Sequence, residues 1–72
     1  MAEKQEFLTK LGHRIDAIRK DKELSFSEMA IRCDMEKSNL VKLTKHGTNI
    51  TVHTMYKISK GLDTTIADIF DF

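Results

Sequence analysis

Apolar residues recur every three or four positions along most of the chain, and this is the spacing of one face of an α-helix. The first apolar stripe has charged residues opposite it, so we expect an amphipathic helix of about four turns that ends near Asp21–Lys22. Its apolar members are Phe7, Leu8, Leu11, Ile15 and Ile18.

A capping signal predicts where a second helix begins. In the segment Ser25-Phe26-Ser27-Glu28, the Ser25 hydroxyl can accept from the Glu28 amide while the Glu28 side chain reaches back to the Ser25 amide. The helix therefore begins at Phe26, and its inward residues are Met29, Ala30 and Cys33.

Three more helices are predicted after a turn at residues 34–37. Leu40 and Leu43 mark the buried side of a short third helix, from about Lys37 to Lys45. After a loop at residues 47–49, Thr51 caps a fourth helix, and Thr65 begins a short fifth one. The inward residues expected for the fourth helix are Val52, Met55, Ile58 and Leu62, and the fifth carries Ile66, Ile69 and Phe70.

The length and the uniform helical pattern predict one all-α domain over residues 1–72. Strand signals are absent, and 72 residues are enough for only one small core. The net charge is +1, but residues 34–60 carry a net +3 and residues 61–72 a net −3. This separation indicates one face turned toward an anion, although an ordinary solvated surface explains it equally well.

Several classes of function are not expected. No apolar run is long enough to span a membrane, and the N-terminal segment lacks the apolar stretch of a signal peptide, so we expect a cytoplasmic protein without a membrane partner. The histidines His13, His46 and His53 have no metal-ligand spacing with one another or with Cys33, which we interpret as a core residue. No catalytic set or glycine-rich phosphate loop is present, so no enzyme, cofactor or small-molecule ligand is expected.

The apolar pattern across the second and third helices resembles the helix-turn-helix of the lambda-repressor/Cro-like (XRE-type) family. The matching residues are Met29, Ala30, Cys33, Met35, Leu40 and Leu43. Family members place a small residue where the two helices cross, and Ala30 occupies that position. The likeness runs from Leu11 to Phe70, and in length the chain is similar to restriction–modification controller proteins and small phage or chromosomal repressors. The resemblance implies a compact five-helix domain that binds double-stranded DNA and regulates transcription, as a repressor or an activator.

The sequence departs from the family pattern at four positions. Asp34 and Asp63 stand where glycine is usual, and aspartate is among the few residues that tolerate a left-handed backbone. Phe26 stands where many relatives have a glutamine that binds a DNA phosphate. Thr44 replaces a glutamate that relatives pair with the arginine matched here by Arg19.

The resemblance also implies which residues contact DNA. Lys37, Ser38 and Lys42 match positions that touch base edges, with Asn39 and Val41 beside them on the third helix. The phosphate contacts are expected from Ser25, Ser27, Lys45 and Asn49. The alternative is that these lysines only keep the surface soluble.

The C-terminal residues predict how the protein assembles. Ile69, Phe70 and Phe72 crowd a helix too short to bury all three, so we expect a homodimer that reads a palindromic operator. A protein-interaction module or antitoxin-type partner with weak or lost DNA binding is the alternative. The low net charge, Phe26 and Thr44 favour that alternative, whereas the lysines of the third helix favour DNA.

Overall fold

Five helices form the domain, and their bounds follow the capping signals of the sequence. The structure is a computed structural model that describes residues 2–72, and within them no strand is present, as the sequence predicts. The helices are α1 (Ala2–Asp21), α2 (Phe26–Arg32), α3 (Lys37–His46), α4 (Val52–Gly61) and α5 (Ile66–Ile69). The first helix is longer than expected because it begins at Ala2, ahead of its apolar stripe.

Hydroxyl caps begin three of the helices at the predicted residues. The Ser25 hydroxyl accepts from the Glu28 amide at 3.0 Å, and the Glu28 carboxylate accepts from the Ser25 amide at 2.9 Å. Thr51 caps α4 by accepting from the Thr54 amide, and Thr65 caps α5 in the same way. Each cap satisfies an amide that has no partner inside its helix, which fixes the first residue of that helix.

Acidic residues in left-handed backbone end α1, α2 and α4. They are Glu23 (φ 57°), Asp34 (φ 53°) and Asp63 (φ 51°). After α2, the Met35 amide donates to the Ala30 carbonyl at 2.9 Å and the Asp34 amide donates to the Ile31 carbonyl at 3.2 Å, which closes the helix end. The left-handed turns predicted at Asp34 and Asp63 are thus confirmed, whereas the one at Glu23 was not anticipated.

All five helices contribute to the core: α1 packs on α3 and α5, while α2 packs on α3 and α4. Its fully buried side chains are Ile15, Met29, Cys33, Leu40, Ile58, Leu62 and Ile69. The predicted stripes of α2 and α3 are confirmed, and burial raises the pKa of the Cys33 thiol, as expected for a core residue. The inward placement of Val52 is wrong: it is 84% exposed, because it is the first residue of α4 and lies at the rim of the domain, where it borders a shallow groove.

Two glycines allow the helices to approach closely. A Cβ atom at Gly12 of α1 would collide with the carbonyl oxygen of Leu43 in α3. A Cβ at Gly61 of α4 would lie 2.8 Å from the Cα of Cys33, at the end of α2. At both places backbone packs directly on backbone, so the absence of a side chain sets the distance between helices.

Side-chain hydrogen bonds also connect α1 to α5 and to the end of α3. The Arg14 guanidinium donates two hydrogen bonds, of 3.0 and 2.9 Å, to the Asp68 carbonyl of α5. The Gln5 amide donates to the His46 carbonyl at 3.0 Å, where α3 ends. No helix in the described residues has the length and apolar character needed to cross a membrane.

Enlarging the side chain at Ala30 tests the packing of α2 on α3. Ala30 is only 4% exposed, so Ala30→Leu should overpack this contact and lower the free energy of unfolding by about 1–3 kcal/mol. Ala17→Leu makes the same change at an exposed position of α1 and should alter stability by less than about 0.5 kcal/mol. Urea unfolding of both variants provides the measurement, and equal midpoints would show that α2 and α3 do not meet at Ala30.

Candidate nucleic-acid interface

The packing of α3 against α1 and α2 determines which side of α3 faces solvent. α2 packs on α3, and α3 packs on α1, so the side of α3 that carries Leu40, Leu43 and Thr44 is buried. The opposite side faces solvent. Since α3 contains three lysines and a histidine and no acidic residue, every ionisable side chain on this outer side is basic.

The predicted base-reading residues lie together on that outer side. Lys37, Ser38, Asn39 and Lys42 are exposed, while Val41 is half-buried at the edge of the same surface. The predicted phosphate ligands are exposed as well, at the start of α2 (Ser25 and Ser27) and around the end of α3 (Lys45 and Asn49). The structure therefore places all nine residues within reach of a ligand, and their contacts with DNA stay predictions.

Phe26 has a structural role that explains why it can replace a polar residue. It is half-buried against the core, and the Arg19 guanidinium lies 4.0 Å above the centre of its ring. A cation stacked on an aromatic face is stabilising, more so where water is largely excluded. Phe26 thus anchors the beginning of α2 instead of contacting a phosphate.

Arg19 has a local partner in place of the glutamate found in relatives. Its guanidinium contacts the Asp16 carboxylate at 2.9 Å and donates to the Leu24 carbonyl at 2.7 Å. Thr44 is buried and donates to the Val41 carbonyl within α3, so it does not take part. Sequence reasoning missed Asp16, although its spacing of three residues from Arg19 on one helix is a recognised signal for an ion pair.

The carboxylates that support α2 are held in their charged form. Burial tends to raise the pKa of Asp16, but hydrogen bonds from Arg19 and Lys20 and their positive charges outweigh it, so the pKa lies below its ordinary value of 3.8. The Ser25 amide and hydroxyl hydrogen bonds lower the pKa of Glu28. Glu28 caps the start of α2, and Asp16 orients Arg19, which contacts Leu24 and Phe26 at that start.

The C-terminal residues divide between the core and the surface. Ile69 is 0% exposed, so its assignment to a dimer interface is wrong: α5 buries it within its own domain. Phe70 and Phe72 remain on the surface, where their rings pack against Phe7 of α1 with centroids 6.3 and 5.7 Å apart. Phe7, Phe70 and Phe72 form an aromatic cluster, and Glu3, Glu6 and Lys10 lie beside it on the surface.

Within residues 2–72, no three histidine, cysteine or acidic side chains come together in a way that could hold a metal ion. What the geometry does provide is two short helices joined by a tight turn, with the second presenting a basic surface. This arrangement defines a helix-turn-helix protein.

Comparison with known proteins identifies the family. The chain belongs to the Cro/C1-type HTH DNA-binding domain family, whose model matches residues 14–72, and the predicted resemblance is confirmed. A search of curated proteins found no match.

Two solved structures illustrate the likeness in fold. The restriction-modification controller protein C.AhdI from Aeromonas hydrophila has a TM-score of 0.84 and 24% sequence identity, and the match covers 88% of this chain and 96% of that one. The wild-type controller protein C.Esp1396I has a TM-score of 0.83 and 22% identity, covering 90% of this chain and 84% of that one. At these identities the comparison establishes the five-helix fold.

Protonating Asp16 should destabilise the domain in acid. Its folded-state pKa is depressed, so its contribution to stability is present above the ordinary value of 3.8 and is lost as the pH falls through the lower value of the folded state. Asp16→Asn should therefore lower the free energy of unfolding at pH 7 by on the order of 1 kcal/mol and reduce the loss of stability below pH 3.8. Asp71→Asn, at an exposed position outside the helices, is the control and should preserve the wild-type pH profile. Thermal melts between pH 2 and 7 would contradict this assignment if the two variants behaved alike.

Proposed function

We propose that this protein regulates transcription as a homodimer that recognises a palindromic operator in double-stranded DNA. The observation that carries the proposal is the outer side of α3, which presents Lys37, Ser38 and Lys42 while its opposite side is buried. A helix of this kind fits the major groove, where lysine donates to guanine and serine serves several bases. Family membership supports DNA as the ligand.

Phosphate contacts would position this helix on the duplex. The beginning of α2 has free amides and the positive end of a helix dipole, and the exposed hydroxyls of Ser25 and Ser27 lie beside it. Lys45 and Asn49 provide contacts at the other end of α3. Together these groups can bracket the groove on both sides, which would compensate for the phosphate ligand missing at Phe26.

Dimerisation is supported by the aromatic cluster. Phe72 is 51% exposed, and Phe7 and Phe70 expose a similar fraction of their surfaces. Aromatic residues grouped on one surface are typical of protein contacts, and a two-fold interface buries the same patch from both copies. A dimer formed there would place the two α3 helices about 34 Å apart, one turn of B-DNA, if each enters a half-site.

Removing one aromatic ring tests the dimer. Phe72→Ser should weaken self-association at least tenfold, equivalent to about 1.4 kcal/mol, because it removes the most exposed ring of the cluster, which packs on Phe7. Ile31→Ser is the matched control, since Ile31 is 82% exposed but lies on α2. Sedimentation equilibrium at micromolar concentration provides the measurement. A wild-type protein that is strictly monomeric, with and without DNA, would contradict the proposal.

Two lysines of α3 test the reading surface. Lys42 lies one turn beyond Ser38, so Lys42→Ala should cost about 1–3 kcal/mol on the preferred site and much less on random DNA. Lys45 is near the end of the helix, so Lys45→Ala should weaken binding to both DNAs by similar factors and reduce the salt slope by about one unit.

The preferred site is identified by selecting bound duplexes from a random library. Each variant is then titrated against that site and against random DNA at several salt concentrations. Equal losses for Lys42→Ala on both DNAs would show that the assignment of the reading surface is wrong. Failure of the wild-type protein to bind any duplex at low salt would instead favour the protein-interaction alternative.

A further inference from the structure

The first turns of α1 lie outside the segment that matches the family model, which begins at residue 14, yet they contact the end of α3. Gln5 donates to the His46 carbonyl at 3.0 Å, and Gly47 approaches the backbone of Thr9 so closely that a Cβ there would lie 2.6 Å from the Thr9 nitrogen. The beginning of α1 and the end of α3 therefore form one fixed unit.

A polar cleft lies at this junction. Lys4 and Gln5 of α1 line one wall, and His46, Thr48 and Asn49 line the other. We propose that this cleft binds a phosphate of the DNA backbone, with Lys4 as its principal cationic ligand. The proposal rests on the proposed function, because it assumes that α3 enters the major groove.

The position of the cleft relative to α3 supports a backbone contact. Residues three and four apart share one side of a helix, so His46 follows Lys42 on the outer side of α3. A DNA strand that passes the end of the reading helix would meet the mouth of the cleft. Asn49, already expected to contact a phosphate, is part of the same wall.

The charges around α1 are arranged to leave the cleft positive. Glu3 and Glu6 do not line it: they lie on the side of α1 that faces Phe70 and Phe72, and the Glu6 carboxylate pairs with Lys10 at 3.7 Å. The negative end of the α3 dipole opposes an anion here, but this effect is small at exposed sites. The Gln5 hydrogen bond to the His46 carbonyl reduces it further, because one of the terminal carbonyls is already occupied.

The cleft also has hydrogen-bond donors that suit phosphate oxygens. The Thr48 hydroxyl and the Asn49 amide can both donate, and both residues are exposed. An ammonium group beside neutral donors is a common way in which proteins hold a backbone phosphate without reading sequence. The site would therefore add affinity and leave the choice of operator unchanged.

Two exposed lysines, Lys4 of α1 and Lys60 of α4, provide a matched test. Lys4→Ala should weaken binding to a random duplex and to the preferred site by the same factor, roughly five- to tenfold at about 0.1 M salt, and lower the salt slope by about 0.9. Lys60→Ala removes the same charge from α4, beside Asp63 and Asp68 and outside both the cleft and the aromatic cluster, and should change affinity by less than about twofold. Fluorescence anisotropy of labelled duplexes across a series of salt concentrations measures both quantities.

The outcomes separate this proposal from the proposed function. If the wild-type protein binds DNA and Lys4→Ala loses no more affinity than Lys60→Ala, the phosphate site is wrong while the function stands. If Lys4→Ala changes the ratio of specific to random affinity, Lys4 reads a base and the backbone assignment is overturned. If the wild-type protein binds neither duplex, the proposed function itself fails.

Discussion

Direct backbone contact between α1 and α3 at Gly12 is the constraint on which the rest of the structure depends. Because no side chain separates the two helices there, Leu40 and Leu43 reach the core, and the lysines of α3 are left on the opposite side. The same principle operates where Gly61 meets Cys33 and brings α4 against the end of α2. Packing between backbones, more than any ion pair, sets the orientation of the basic helix.

This packing explains how the domain is stable without the ion pair that relatives form between the arginine matched by Arg19 and a glutamate at the position of Thr44. Arg19 is committed to Asp16, to the Leu24 carbonyl and to the ring of Phe26, all near the turn between α1 and α2. The arginine therefore stabilises the entry into α2 and does not connect α1 with α3. Thr44 satisfies its own hydroxyl within α3, so no buried charge is left unpaired by the replacement.

Sequence reasoning predicted the helices, their caps and most of the core because these depend on local rules. The Ser25–Glu28 box and the Leu40–Leu43 stripe need only neighbouring residues to be recognised. The errors arose at residues whose burial depends on how the helices pack together and not on the local sequence. Val52 fits the stripe of α4 but lies at the rim, and Ile69 fits an exposed cluster but fills the core. For the site, exposure of the predicted residues followed from helical spacing, whereas the cleft between Lys4 and Asn49 brings together residues far apart in sequence.

The separation of charge along the chain can now be understood in three dimensions. The basic residues of α3 lie on its outer side, while Asp63, Asp68 and Asp71 lie in and beside α5, at the acidic C-terminal end, and Glu3 and Glu6 border the aromatic cluster. Such a distribution favours an approach to DNA with α3 foremost, because the acidic end is repelled by phosphates. The Glu3 and Glu6 carboxylates would lie at the edge of the proposed dimer contact, so burial of aromatic rings must outweigh the repulsion between the two copies. Added salt therefore has opposite effects on the proposed dimer and on DNA binding. It favours the dimer, because it screens the repulsion between copies, and it weakens the attraction to DNA.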